Sequence, residues 1–123
     1  MAGEITISLS VVGSKGGAVA SATDSDVIDM GGSNMSAITQ TVPITTSAAL
    51  VIGSVAIGGI MVVKNLSAGS TVYINNNGAA TVAGAPIKIK YGETALLRTS
   101  STGGVYHAVA DIAALVQVVC FDN

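Results

Sequence analysis

Three kinds of side chain in this sequence could do chemistry: a cluster of aspartates, a single histidine and a single cysteine. The aspartates are Asp24, Asp26 and Asp29, in the segment "TDSDVIDMGGSN". Carboxylate oxygens are the ligands that Ca²⁺ and Mg²⁺ prefer. The segment lacks the twelve-residue calcium-loop pattern with its closing glutamate. The pattern therefore favours a solvated acidic loop, and the sequence leaves open whether the aspartates hold a cation.

The histidine and the cysteine both lie in apolar strand-like segments. His107 stands in "VYHAVAD", where a structural role is favoured over a catalytic one because no partner for proton transfer is spaced around it. Cys120 lies between Val119 and Phe121, with no cationic neighbour to lower its pKa. We expect Cys120 to be a small buried apolar side chain.

No motif in the sequence indicates an enzyme. There is no serine in a glycine-flanked elbow, and the segment "GSKGG" is too short for a phosphate-binding loop and precedes no predicted helix. We therefore expect no catalytic residue, no metal site and no cofactor.

Charge is scarce. Charged residues make up 10% of the chain, against about 25% in ordinary soluble domains. The net charge is −2 and the five basic residues form no run, so nucleic-acid binding is not expected. So few charges cannot cover a domain of this size. We expect partner chains to cover part of its surface.

Alternating apolar and polar residues predict β-strands through most of the chain. The first segment, "EITISLSVV", alternates, which predicts a half-buried strand, and it is followed by the glycine-rich turn "GSKGG". A polar loop is predicted over Asp24–Asn34, an edge strand in "SAITQTVPITTS", which contains Pro43, and a turn at Asn75–Gly78. In "PIKIKYGE", Ile87, Ile89 and Tyr91 are predicted to face the core. About eight strands and no convincing helix indicate a single all-β domain over residues 1–123, a sandwich or barrel.

The segment Ala48–Val63, "AALVIGSVAIGGIMVV", raises the question of a membrane anchor. It is shorter than the roughly 20 apolar residues that span a bilayer, it contains glycines, and no cluster of Lys or Arg flanks it. We interpret it as two strands, near Leu50–Ile52 and Ile60–Leu66, and expect no membrane association. The second strand is apolar on both faces, as in a strand packed on both sides.

The N-terminus and the cysteine content predict the cellular compartment. The segment "MAGEITISLS" has an acidic residue, Glu4, and no basic region, so it does not resemble a signal peptide. A single cysteine excludes an internal disulfide. We expect the chain to fold in a reducing cytoplasm.

The order of several short motifs resembles that of small virion proteins of tailed bacteriophages. They occur in "GGIMVVKNLSAGSTVYI", "IKIKYGETALLR" and "VYHAVADIAALVQVVCFD", and the start "EITISLSV" is similar too. The chain departs from the family at "NLS", where many members have Asp after Leu, and in "INNNG". The matching positions are Asn65–Leu66, Gly92–Glu93, Leu97–Arg98, Ala110–Asp111 and Asp122.

The resemblance implies a capsid cement or decoration protein with a jelly-roll-like β-sandwich. Such a protein would be made in the host cytoplasm and lie on the capsid surface as a homodimer or homotrimer, bridging copies of the major capsid protein. A tail, neck or head-fibre-base protein is the first alternative, and a small membrane-associated phage protein is the second. The partner contacts are expected in the N-terminal arm and the polar loops, at Met1, Ala2, Gly3, Glu4, Asp24, Asp26, Asp29, Asn34, Asn75, Asn76 and Asn77.

Overall fold

A computed structural model describes residues 5–29, 34–52, 55, 58–76, 79–82, 84–98 and 106–122. The prediction of an all-β protein is confirmed, because all ten described elements are strands. The chain divides into two compact units, Met1–Gly31 and Gly32–Asn123. The first contains β1 (Ile5–Lys15) and β2 (Ala18–Ile28), and the second contains the other eight strands.

The second unit is built from two four-stranded antiparallel sheets. One sheet, whose strands are longer on average and which we call the larger-stranded sheet, has the order β3-β10-β5-β8, and the other has the order β4-β9-β6-β7. Their bounds are β3 Met35–Val42, β4 Ala48–Ala49, β5 Gly58–Asn65, β6 Thr71–Asn76, β7 Ile87–Lys90, β8 Thr94–Arg98, β9 Tyr106–Ala110 and β10 Ala114–Asp122.

The pairing between these strands is nested. The first strand of the unit pairs with the last, β3 with β10, and the second with the second-last, β4 with β9. Moving inward, β5 pairs with β8 and β6 with β7. Two further pairings, β10 with β5 and β6 with β9, join these pairs into the sheets.

The core contains the inward-facing residues of both sheets, as in a β-sandwich. Val63, Val116 and Val118 come from the larger-stranded sheet, and Val72 and Ile74 from the other, all fully buried. In each strand they alternate with more exposed residues, because successive side chains of a strand point to opposite faces. Cys120 also belongs to this cluster, which confirms the prediction that it is buried.

Several predicted strand positions are wrong. The short strand expected near Leu50–Ile52 is instead β4, at Ala48–Ala49, and the next strand begins at Gly58 and ends at Asn65. Tyr91 does not face the core but is 58% exposed. The reason is that β7 ends at Lys90 and the chain then turns at Gly92, which has a φ of +79°. The prediction that the strand containing Pro43 lies at an edge is confirmed for β3, but this strand ends at Val42 and Pro43 follows it.

A buried asparagine organises the end of β5. The side-chain amide of Asn65 donates hydrogen bonds to the carbonyl oxygens of Ser70, at 3.1 Å, and Ile89, at 3.2 Å. Its Oδ1 accepts from the backbone N–H of Ser67, at 3.0 Å, and from the Ser70 hydroxyl, at 3.2 Å. Asn65 is fully buried, so these bonds replace the water that the amide loses on folding.

The backbone around Asn65 extends this network to two further segments. The N–H of Gly92 donates to the carbonyl of Asn65 at 2.9 Å, and the N–H of Asn65 donates to the carbonyl of Glu93 at 3.2 Å. The hydroxyl of Ser67 accepts from the N–H of Leu115 at 2.8 Å. The "NLSAGS" turn is thereby fixed to β10 and to the turn between β7 and β8. In the sequence, Asn65 was apparent only through a resemblance, and its role in this network was not predicted.

Asp111 joins the turn after β9 to the start of β6. Its Oδ1 accepts from the N–H of Thr71, at 2.7 Å, and from the N–H of Ile112, at 2.8 Å. The bond from Thr71 is the largest cause that holds the pKa of this carboxyl below its ordinary value of 3.8, because it favours the ionised form. The carboxylate therefore stabilises the fold above that pH.

We expect Asp111→Asn to change the acid dependence of stability. Since the folded-state pKa is lowered, the contribution of Asp111 is present above about pH 3.8 and is lost as the pH falls through the folded-state pKa. The variant should be less stable than the wild type at pH 7, and the difference should shrink as the pH falls below 3.8. Urea denaturation at a series of pH values measures this. A difference that stays constant down to pH 2 would contradict it.

Candidate interaction surface

The first unit is a long β-hairpin. β1 and β2 pair antiparallel over their whole length, from Ile5 opposite Ile28 to Lys15 opposite Ala18. Gly16 and Gly17 connect them with φ values of +59° and +87°. A two-residue turn of this kind needs positive φ at both central positions, which glycine adopts without strain. The glycine pair in "GSKGG" therefore sets the register of the hairpin.

Almost the whole hairpin is exposed. Every residue from Ser8 to Val27 is exposed, including apolar ones such as Leu9 at 50% and Val19 at 72%. A two-stranded sheet is marginally stable by itself in water, and three or more strands are usual for a stable one. The hairpin is therefore a surface that association with another chain would stabilise.

The two faces of the hairpin differ. Directly opposite residues share a face, so the β1 residues Ile7, Leu9 and Val11 share one face with Asp26 and Asp24. The other face carries serines and threonines together with a few valines. One face thus combines an apolar row on β1 with an acidic row on β2.

Both aspartates bond to the backbone of their own strand. Asp24 Oδ1 accepts from the N–H of Ser25 at 2.9 Å, and Asp26 Oδ1 accepts from the N–H of Val27 at 2.8 Å. Charged and bonded groups along an edge discourage another strand from pairing there. The outer edge of β2 is protected in this way.

The predicted loop Asp24–Asn34 is wrong in its first part. Residues Asp24 to Ile28 belong to β2, because the glycine turn and the pairing with β1 hold this polar segment extended. Asp29 and Asn34 lie outside the strands and are exposed, so they remain accessible to a partner. Residues 30–33 are outside the described residues, and so are Met1, Ala2, Gly3 and Glu4 of the predicted arm.

The predicted contact turn Asn75–Gly78 is also corrected in part. Asn75 and Asn76 belong to β6, where they lie opposite His107 and Tyr106 of β9. The side-chain amide of Asn75 donates to the carbonyl of Ala79 at 3.2 Å. Asn77 lies outside the described residues. Pairing with β9 extends β6 further than the local turn-forming residues predict.

His107 lies on the outer face of its sheet. Its neighbours Tyr106 and Ala108 belong to the core, so the alternation of the strand directs the half-buried His107 the other way. Asn75 and Ala49 lie opposite it on the adjacent strands. In the part of the chain that the structure describes, no three His, Cys, Asp or Glu side chains are placed to hold a metal ion together.

A second apolar surface lies on the outside of the larger-stranded sheet. One row crosses all four strands in register, from Ala37 through Val119 and Val62 to Leu96. Val62 and Val119 are half-buried, and Leu96 is 50% exposed. As predicted, β5 is apolar on both faces: Met61 and Val63 face the core, and Val62 lies on the outer face.

The described residues contain no helix long and apolar enough to cross a membrane. Comparisons of the chain with known protein families, with characterised proteins and with solved structures find no match.

Proposed function

We propose that this chain is a structural protein of a tailed-bacteriophage particle, a cement protein on the capsid surface. It would bind the major capsid protein and other copies of itself, after synthesis in the host cytoplasm. The observation that carries the proposal is the hairpin of β1 and β2, which is exposed from Ser8 to Val27 and belongs to a compact unit of its own. The motif order from Asn65 to Asp122 supports it by resemblance.

The hairpin is suited to a protein that binds neighbouring subunits to one another. An extended strand pair can add to the edge of a neighbouring sheet, and the main-chain hydrogen bonds then supply affinity. The outer apolar row from Ala37 to Leu96 offers a second contact area. Exposed apolar patches of this kind mark protein–protein interaction sites.

We further propose that the second unit is a jelly roll. Support comes from the nested pairs β3 with β10, β4 with β9, β5 with β8, and β6 with β7, all antiparallel. A long hairpin rolled up so that successive pairs alternate between two sheets produces this order, and jelly rolls are common in viral capsid proteins.

The proposed mechanism is mechanical and involves no chemical reaction. Each copy would bury apolar surface against adjacent capsid subunits and so raise the free energy needed to separate them. Contacts that are weak singly become strong on a symmetric shell, because several are made at once by one oligomer.

Copy number in purified particles tests the proposal. Heads and tails are separated on a gradient, and this chain is quantified by mass spectrometry against the major capsid protein, with the major tail protein as a control for cross-contamination. We expect the chain in the head fraction at a ratio near that of the capsid protein. A few copies confined to the tail fraction would instead indicate the tail or neck alternative, and absence from particles would contradict any virion role.

A further inference from the structure

We propose that two copies of this chain associate through the free edges of their β1 strands. The pairing is antiparallel about a two-fold axis at Ser8, and it joins the two hairpins into one four-stranded sheet in the order β2-β1-β1-β2. This interface would form in the isolated protein, whether or not the protein is part of a phage particle.

The hydrogen bonds of the aspartates show which backbone groups lie on the free edge of β1. The N–H groups of Ser25 and Val27 bond to side chains and so point away from β1. Their register partners are Ser8 and Thr6. In an antiparallel pair, residues opposite each other either exchange both backbone bonds or neither, in alternation. The N–H and C=O groups of Thr6, Ser8 and Ser10 therefore point outward, away from β2.

The sequence of β1 is self-complementary about Ser8. The segment "ITISLSV" places Ile7 against Leu9 of the second copy, Ile5 against Val11, and Thr6 against Ser10. A two-fold interface requires this kind of match, because a contact between residue i of one copy and residue j of the other is repeated as a contact between j and i. In this register apolar side chains lie opposite apolar ones on one face, and hydroxyls lie opposite hydroxyls on the other. The outward-pointing backbone groups of the two strands also face one another.

The distribution of charge favours association through the edge of β1 over association through the edge of β2. Between Ile5 and Ser14, β1 carries no charge. Pairing two β2 edges would bring Asp24 and Asp26 of both copies side by side, and like charges on neighbouring strands destabilise a sheet. With β1 at the centre, the two acidic rows are separated by three strand spacings, about 14 Å. That distance exceeds the screening length of about 8 Å at physiological salt.

A second copy also provides the additional strands and apolar neighbours that a single hairpin does not have. Two strands become four, which is within the range in which sheets are stable. The apolar row on β1 becomes an apolar surface two strands wide, because these residues of one copy lie opposite apolar residues of the other. They are Ile5, Ile7, Leu9 and Val11. Leu9 and Val11, which are half-exposed or more in a single copy, gain cross-strand apolar neighbours.

Disulfide trapping in the purified chain tests the interface. Two Ser8 residues paired across the axis would have Cα atoms about 5.5 Å apart, which suits a disulfide. We expect Ser8→Cys to form a covalent dimer under mild oxidation. Ser25→Cys is the matched control, because Ser25 is the exposed register partner of Ser8 on the far strand and its two copies would be too far apart to bridge. The native Cys120 is buried and common to both variants.

A proline pair provides a second test. Ser10 and Thr23 are register partners, and each has its N–H on the outer edge of its own strand. Ser10→Pro removes a donor from the proposed interface, twice per dimer, and should weaken association by about tenfold or more in sedimentation equilibrium. Thr23→Pro should leave association unchanged.

Three outcomes with the purified chain would overturn the proposal, and a fourth, in particles, would do so as well. The first is a wild-type chain that stays monomeric at every concentration tested. The second is equal cross-linking of the Ser8→Cys and Ser25→Cys variants, and the third is equal effects of the two prolines. Cross-linking of Ser8→Cys only to a different protein in particles would show that the β1 edge binds that protein instead. None of these results depends on the copy-number experiment, so failure of the interface and failure of the proposed function remain distinguishable.

Discussion

Replacing Asn65 with alanine is expected to lower the free energy of unfolding by about 3 kcal/mol, because it removes hydrogen bonds from two buried carbonyl oxygens and a part-buried N–H. The amide serves the carbonyl oxygens of Ser70 and Ile89 and the N–H of Ser67. Each buried polar group that loses its hydrogen bond costs about 1–3 kcal/mol. Urea denaturation followed by tyrosine fluorescence measures the loss. All three tyrosines lie in the second unit, so the signal reports that unit alone.

Two variants make this prediction specific. Asn65→Asp keeps the shape of the side chain but replaces the donating amide with a carboxylate facing two carbonyl oxygens, so we expect a loss at least as large. Asn75→Ala removes an amide that makes a hydrogen bond in an exposed position, to Ala79, and should change stability by less than about 0.5 kcal/mol. Similar small losses for Asn65→Ala and Asn75→Ala would show that the Asn65 network contributes little.

Shortening Ile74 to alanine should cost about 3–4 kcal/mol, within the range of about 2–5 kcal/mol for removing a large aliphatic side chain from a packed core. Ile74 is fully buried between the two sheets, in the cluster that also contains Val63 and Val118. Part of the loss is the transfer of apolar surface, and part is the cavity that a rigid strand cannot close. Urea denaturation with the same tyrosine signal gives the value.

The same substitution at an exposed isoleucine is the control. Ile112 is 61% exposed in the turn before β10, so Ile112→Ala removes the same atoms without creating a buried cavity. We expect a change below about 0.5 kcal/mol. If the two alanine variants lost equal stability, the buried cluster around Ile74 would not be the main core of this unit.

Local patterns were good predictors of strands that bury one face. Alternation in "LVQVVCFD" gave β10, because a half-buried strand must place apolar residues at every second position. Alternation in "EITISLSVV" also located β1, but the prediction that this strand is half-buried is wrong, because its residues from Ser8 onward are exposed. The burial of Cys120 followed from the same rule. Pro43 predicted an edge strand because proline cannot donate to a second neighbour, and β3 does lie at an edge, although it ends at Val42, one residue before the proline.

The same patterns failed where a strand has no core to face. In "AVASATDSDVI" small and polar residues do not alternate with apolar ones, so the segment was predicted to be mostly loop. It is a strand because the turn at Gly16–Gly17 aligns it with β1. This error displaced the predicted contacts Asp24 and Asp26 from a loop to the face of a hairpin. Asn75 and Asn76 were misplaced for a related reason, since pairing with β9 extends β6.

By itself, the sequence determined that this is an all-β protein with few charges and a buried cysteine, because composition and alternation are properties of each residue and its near neighbours. Only the tertiary structure decided which strands are partners and which faces remain open. The pairing of β3 with β10 joins residues far apart in the chain, and alternation is the same for every possible partner. For this reason the nested sheets, the buried Asn65 network and the free edge of β1 became apparent only in three dimensions.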